Sequence, residues 1–346
     1  MRALFYHGKE DIRFEEVPDP SPERTDGVVV RIERTAICGS DLHIYHGTMG
    51  DDPYAIGHEA IGEIVEVGSA VRRFRSGDRV LVSGVIGCGG CGSCLRDYVD
   101  ACETSGARVF GTNQGLAGGQ AEALAVPDAD RSLHRIPDGV TAKSAVLLTD
   151  ILPTGYYGAL NAEIEPGHDV AVIGCGPVGL MAIQSAQLFG PRRVFALDSV
   201  PDRLAAAQKL GAIPCDVGAD VNAEILEATG GLGPHSVIEA VGADATIQNA
   251  LALVRRGGRV SVIGVNLNPE FVFPMSLALM KNLTFRIGVC PVPRLWPNLV
   301  PLLAEGTLQP DFVFTHERPL SEGPEAYALF DSRRDGVLKV LLDPTA

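Results

Sequence analysis

Positive charge is what this sequence has least of for its size. Its 29 Lys and Arg face 43 Asp and Glu, for a net charge of -14 and a pI near 5.0. An average surface of that sign repels phosphate backbones and anionic bilayers, which excludes nucleic acid and membranes as expected partners and leaves small molecules. Long apolar runs are missing too. The one stretch that resembles a membrane span, Val170–Phe189, contains three glycines, a proline, Gln184 and Gln187, and reads instead as a buried strand followed by a helix. The opening MRALFYHG has no apolar signal segment, so a cytoplasmic, reducing setting is expected, in which cysteines stay as thiols or bind metal. Repeats and low-complexity linkers are likewise missing, so the parts of the chain are expected to share a tight cleft and not to swing on a tether.

What is present suits a two-domain soluble protein: 346 residues, 46% of them hydrophobic, with 40 glycines and 23 prolines. Up to about residue 152 short β-type runs such as VVVRIE, AIGEIVEVG and DRVLVSG are cut by Gly and Pro, the pattern of an all-β, barrel-like unit. From 153 the rhythm changes to strand, glycine turn, helix: VAVIG, then RVFALD, SVIEAVG and RVSVIG, with helices between. That alternation predicts a doubly wound parallel sheet over 153–292. The tail, 293–346, holds a helix-like WPNLVPLLAEG and the strand GVLKVLL, and is expected to return to the first domain. The strands RVSVIGV and LTFRIGV offer edges through which two copies would pair.

Cys88, Cys91, Cys94 and Cys102 fall in GCGGCGSCLRDYVDACE, a C-x2-C-x2-C-x7-C spacing inside a lobe at about 84–105. Glycines let the backbone wind around an ion, and four thiols in one loop fit a closed tetrahedral zinc site with no open position for water or substrate. The competing arrangement, two disulfides, is disfavoured by a reducing setting.

In VAVIGCGPVGL, Gly174, Gly176 and Gly179 form G-x-G-x-x-G after a predicted strand and at the mouth of a predicted helix. The first permits a tight turn, the second admits a pyrophosphate against the backbone, and the third lets helix and strand pack closely. The phosphates would sit on the helix N-terminus. Asp198 ends the next apolar strand, where an acid hydrogen-bonds both ribose hydroxyls of NAD and repels the extra phosphate of NADP, so NAD is favoured. Arg203 and the pair Arg192 and Arg193 are the groups that would argue for NADP. Pro177, Val178, Val241, Gly264, Val265 and Arg203 complete the cofactor-contact set, and Cys175 is read as a small packing residue.

Cys38 and His58 lie in the glycine-flanked turns ICGSDLH and IGHEAIG, and Asp150 closes the first domain in LLTDILPTGYYGA. One thiolate, one neutral imidazole and one carboxylate supply three zinc ligands and leave a fourth position open. Glu59, next to His58, either ligates that ion or orients the groups that do. An alcohol at the open position would have its pKa lowered by the metal, giving an alkoxide from which hydride can leave to a nicotinamide. Ser40 and His43 would pass the proton outward, hydroxyl to imidazole. Val85, Ile86, Phe110 and Leu152 are the candidate lining of an apolar substrate pocket, with Leu116 and Trp296 read more simply as core.

Taken together, CGSDLH, GHE, the four-cysteine lobe, GCGPVGL and GVLKVLL give a chain that resembles, over essentially its whole length, a zinc-dependent medium-chain dehydrogenase/reductase of the alcohol dehydrogenase superfamily. The resemblance implies a GroES-like catalytic domain made from both termini and a Rossmann domain between, hence an α/β protein. It also implies NAD(P), two zinc ions per chain and a homodimer or homotetramer. By it Cys38, His58 and Asp150 are the catalytic zinc ligands, with Glu59 beside them and Ser40 and His43 in the proton relay. TDILPTGYYGAL resembles bacterial branches with Asp as third ligand, including formaldehyde dehydrogenases, whose cofactor-wrapping segment this shorter chain lacks. Polyol and threonine dehydrogenases are further relatives. A zinc-independent quinone or enoyl reductase, or a protein that only senses NAD, would share the scaffold but not the intact ligand set.

Overall fold

The computed structural model describes every residue except Glu23, Gly50, Asp51, Gln114 and Ala219. The chain divides into two compact units. Unit 1 comprises Met1–Pro153 and Cys290–Ala346, and unit 2 comprises Thr154–Val289.

Unit 1 is built around a mainly antiparallel seven-stranded sheet, ordered Leu133–Arg135, Arg79–Val82, Glu59–Val67, Val28–Ala36, Lys339–Asp343 and Phe314–Pro319, with Ala123–Val126 also pairing Val28–Ala36. Alternation of apolar and polar residues along these strands sends one set inward: Val28, Val30 and Ile32 meet Ile64, Val80, Val82, Leu124 and Leu133 in one core. A second core joins Leu4, Tyr6, Ile37 and Ile56 to Tyr327, Phe330, Val340 and Leu342 from the far end of the chain. The strand Lys339–Asp343 runs antiparallel to Val28–Ala36, pairing Leu341 with Ala36 and Leu342 with Thr35. A two-stranded sheet, Val85–Ile86 with Arg108–Val109, frames the cysteine-rich loop.

Unit 2 is a six-stranded, wholly parallel sheet. Its order is Ile213–Asp216, Arg193–Asp198, Asp169–Ile173, Ser236–Glu239, Arg259–Val262 and Thr284–Ile287. Helices Pro177–Gln187, Pro201–Lys209, Val221–Ala228 and Asp244–Leu253 connect the strands, the doubly wound arrangement expected from strands such as DVAVI that are buried on both faces. The order reverses between Asp169–Ile173 and Ser236–Glu239, and ligands of such sheets bind outside the carboxyl ends at that point. The stretch once readable as a membrane span is the strand Asp169–Ile173 and the helix Pro177–Gln187. Among the described residues, no helix is long and apolar enough to cross a membrane.

Candidate active site and cofactor site

Three loop ends of unit 1 converge on one buried cluster. Cys38 follows the strand Val28–Ala36, His58 precedes Glu59–Val67, and Asp150 precedes the helix Ile151–Asn161. One ligand atom from each of Cys38, His58, Glu59 and Asp150 lies within 4.8 Å of all the others. Cys38 Sγ is 3.4 Å from Asp150 Oδ2, and His58 Nε2 is 3.3 Å from the same oxygen. Ser40 stands at the N-terminus of the short helix Asp41–Tyr45 without capping it; its hydroxyl instead meets His58 Nε2 at 3.3 Å. His43, on that helix, is half-buried, and burial and His46 hold its pKa below the usual value. Its backbone N–H donates to Ser40 O at 3.1 Å, but among the described residues no side-chain hydrogen bond joins the imidazole to the Ser40 hydroxyl.

Acidic groups outnumber basic ones here, and burial magnifies the imbalance. Burial pushes the Cys38 thiol up, with Asp150 adding to the effect. Burial pulls the His58 imidazolium down, but Asp41, Cys38 and Asp150 outweigh it and leave the ring well above its ordinary pKa. Burial also raises Glu59 against the pull of Lys339. Glu59 Oε1 pairs with Lys339 Nζ at 2.8 Å, both side chains fully buried, while Glu59 Oε2 has no hydrogen-bond partner. A thiol, an imidazole and two carboxylates with an unsatisfied buried oxygen form a donor set that suits a divalent cation such as zinc.

Motif reasoning missed four residues around this cluster: Asp41, Gln120, Tyr327 and Lys339. Asp41 Oδ2 accepts the Cys38 N–H at 2.9 Å. Its Oδ1 faces His58 Nδ1 at 3.0 Å, out of line for a hydrogen bond, so that the contact is electrostatic. Lys339 carried a usable signal, a single charge at an inward position of the apolar run GVLKVLL. Gln120 and Tyr327 carried none.

The four thiols Cys88, Cys91, Cys94 and Cys102 also converge within 4.8 Å of one another and are unpaired by disulfides. Backbone N–H groups point at their sulfurs: Cys88 and Ser105 at Cys102, Cys94 and Glu103 at Cys91. Burial raises Cys102, but Ser105 and the backbone donors draw it down to about 5. Donors aimed at sulfur favour the thiolate, the form that binds metal.

In unit 2 the glycine turn opens the helix Pro177–Gln187 with Gly176 as its N-cap. Gly174 has φ +91, and a Cβ on Gly179 would lie 1.8 Å from Gly174 O, so neither position admits a side chain. Asp198 ties this turn down, accepting Cys175 N–H at 2.7 Å and Val200 N–H at 2.9 Å, with Arg203 4.0 Å away. Val241, Gly264 and Val265 lie at the carboxyl ends of Ser236–Glu239 and Arg259–Val262, and both valines are exposed. Arg192 and Arg193 are engaged elsewhere, gripping Asp169 at the opposite end of the sheet. Cys175 is buried packing.

Of the pocket candidates, Val85 follows Gly84, which packs against His58, and Leu152 is buried two positions after Asp150. Ile86 and Phe110 belong to a core cluster, with Leu116 against it. Trp296 is core, its indole N–H bonded to Leu148 O at 2.8 Å.

The chain is similar to known proteins over nearly its whole length. Residues 24–138 match the family described as alcohol dehydrogenase GroES-like domain, and 177–305 the family described as zinc-binding dehydrogenase. A probable zinc-binding alcohol dehydrogenase of Mycobacterium tuberculosis is 45% identical over 345 residues, covering 99% of this chain and 89% of the relative. The structure of an alcohol dehydrogenase from Thermus sp. ATN1 superposes with a TM-score of 0.93 at 41% identity, over 99% of both chains. Two more distant neighbours were solved with cofactor: one from Escherichia coli with NADH (TM-score 0.89, 26% identity, 99% of both chains) and one from Sinorhizobium meliloti with NADP (TM-score 0.83, 28% identity, 99% of both chains).

Proposed function

Because the chain belongs to the zinc-dependent medium-chain dehydrogenase/reductases, the alcohol dehydrogenase superfamily, we propose that it transfers hydride reversibly between an alcohol, or a hydrated aldehyde, and a nicotinamide dinucleotide, with NAD preferred over NADP. The observation that carries this reading is the buried convergence of Cys38, His58, Glu59 and Asp150 beside the Ser40 hydroxyl.

Cys38, His58 and Asp150 would hold the catalytic zinc, and the four-cysteine loop a second, structural one. When bound, the catalytic ion acts as a Lewis acid that makes the substrate hydroxyl easier to deprotonate near neutral pH. Ser40 Oγ, at hydrogen-bond distance from the ring that carries one ligand atom, is the first acceptor for the substrate proton, and His43 the next group outward. Lys339 occupies one oxygen of Glu59 and leaves the other without a hydrogen-bond partner. In unit 2, the N–H groups that follow Pro177 in the first turn of the helix would receive the pyrophosphate. Each Asp198 oxygen accepts one backbone N–H and retains a lone pair for a ribose hydroxyl, and this carboxylate disfavours an added phosphate.

None of the eight cysteines is paired in a disulfide, which is compatible with a cytoplasmic setting. Association as a homodimer is proposed through unit 2. The strand Thr284–Ile287 ends the parallel sheet, and Val272, Met275, Leu279 and Met280 just before it are 68–76% exposed. A second copy would pair the open edge and cover this apolar face. Sedimentation of wild type against Leu279→Asp checks this, with a shift toward monomer expected.

The activity is tested by NADH formation with zinc-loaded protein, NAD or NADP, and primary, secondary and polyhydric alcohols, threonine and hydrated formaldehyde. Turnover with at least one alcohol, lost in Cys38→Ser while the four-cysteine ion stays bound, is expected. Absence of turnover with every substrate, while two zinc ions and NAD both bind, would reject the reading.

A further inference from the structure

Behind the proposed ligands, the buried polar groups of unit 1 form one continuous chain that begins on a helix far along the sequence. Tyr327, fully buried in the helix Gly323–Ser332, donates its hydroxyl to Gln120 Oε1 at 2.8 Å. The Gln120 amide nitrogen donates to Ala36 O at 3.1 Å and to Asp41 Oδ2 at 3.3 Å. Asp41, 1% exposed, takes the Cys38 N–H on that same oxygen at 2.9 Å and presents Oδ1 to His58 Nδ1 at 3.0 Å. Two of the proposed ligands therefore hang on one carboxylate, Cys38 by its backbone and His58 by its ring.

The polarity of this chain runs one way. Ala36 O and Asp41 Oδ2 are both acceptors and need the NH2 side of the amide, which leaves Oε1 for a donor, and the tyrosine hydroxyl supplies it. Reversing the amide would press Oε1 against two acceptors inside the core. With the amide so fixed, Asp41 is held facing Nδ1 of His58, the nitrogen that must keep its proton if the Nε2 lone pair is to serve a metal. Packing reinforces the arrangement. Gly57, next to His58, has φ +93, and a Cβ there would lie 2.3 Å from Gln120 Cγ. Gln120 is anchored in the backbone by its N–H to Ile56 O at 3.0 Å. The Tyr327 ring stacks on Tyr45 at 5.8 Å, a contact that phenylalanine would keep.

We propose that Tyr327 and Gln120 are positioning residues for the metal centre: through Asp41 they fix the orientation and tautomer of His58, so that a side chain on the helix Gly323–Ser332 sets how firmly the cluster grips its ion. This rests on Cys38, His58 and Asp150 being the ligands.

The test compares wild type, Tyr327→Phe, Gln120→Leu and the double variant, loaded with zinc or cobalt(II). Two quantities are read: the rate at which each ion passes to a chromophoric chelator, and the visible d–d bands of cobalt. Cys38→Ser identifies which release phase belongs to the Cys38 cluster. Tyr327→Phe should release that ion about 10-fold faster, the low end of the effect of removing a ligand's support. Its cobalt bands should shift, while release from the four-cysteine loop stays unchanged. Gln120→Leu should do as much or more, and the two losses should be less than additive in the double variant, because the hydroxyl and the amide act on the same carboxylate. A lower unfolding temperature with unaltered release and cobalt bands would mean that Tyr327 only packs, and would overturn the proposal. So would additive effects in the double variant. If wild type holds one ion alone, in the four-cysteine loop, the ligand reading itself fails and this proposal with it; two ions with an inert Tyr327→Phe defeats the proposal alone.

Discussion

Replacing Lys339 by methionine should cost far more than the loss of a surface ion pair, and removing the charge left behind should restore most of it. Lys339 and Glu59 are both fully buried and 2.8 Å apart. At an effective dielectric of about 20, two unit charges at that distance attract by about 6 kcal/mol. Taking each from water costs several kcal/mol, so the pair as a whole is close to balance. Lys339→Met keeps the length of the side chain and leaves Glu59 buried near Asp150 and Cys38 without its counter-ion. A loss of about 3–5 kcal/mol is expected, as for any buried pair deprived of one partner. In Lys339→Met/Glu59→Gln neither charge remains, and the deficit should shrink to about 1 kcal/mol, the worth of the hydrogen bond from Lys339 to Ile37 O. The assay is urea unfolding of the three proteins with and without zinc. Saturating zinc should narrow the gap for the single variant, because a cation at the cluster supplies the missing charge. Equal instability of the single and double variants, or a single variant within about 1 kcal/mol of wild type, would refute the reasoning, since either lies outside the range for breaking a buried pair.

Gly57→Ala should lose about 1–3 kcal/mol from its left-handed backbone alone and also displace Gln120, so bound metal should fall by one ion per chain by atomic emission. Cys94→Ser should also lose one ion, this time from the loop, with a lower unfolding temperature while the cobalt bands of the Cys38 cluster persist. Burial raises Asp169, but the hydrogen bonds from Arg193 and Arg192 outweigh it and hold the carboxyl at about 2. Its folded pKa lies below the unfolded one, so its contribution is present in full above about pH 4 and disappears as pH falls through 2. Acid unfolding followed by circular dichroism should therefore show Asp169→Asn less stable than wild type above pH 4, by about 1–2 kcal/mol, with the difference closing below that.

How much of this was legible in the sequence depended on how far apart the partners lie along the chain. The four cysteines and the G-x-G-x-x-G turn are local, so spacing alone identified them, and the change from β-type runs to strand–turn–helix rhythm marked where the parallel sheet begins. Cys38, His58 and Asp150 were recognisable because each sits in its own short motif. What spacing could not supply is the shell behind them. Asp41 meets Gln120 across 79 residues, Gln120 meets Tyr327 across 207, and Glu59 meets Lys339 across 280. The last meeting is decided by the register of Lys339–Asp343 against Val28–Ala36, and the place of Gln120 by its backbone bonds to Ile56 and Leu4, none of which a local pattern encodes. Ser40 stands ahead of a helix without capping it, and its hydroxyl turns to His58 instead.

The insertion of unit 2 between the two segments of unit 1 imposes an order of events during synthesis. Ribosomes deliver Glu59 and Asp150 first, then the whole of Thr154–Val289, and only afterwards Tyr327 and Lys339. The parallel sheet has everything it needs to close its core as it emerges, because domains fold as units while the chain is made. The other unit does not: until Lys339 arrives, Glu59 has no counter-ion and its place in the interior is unfavourable. Unit 2 is thus completed in transit, and unit 1 waits for the strand Lys339–Asp343, so a truncated or stalled chain yields a folded parallel-sheet unit beside an unfinished unit 1.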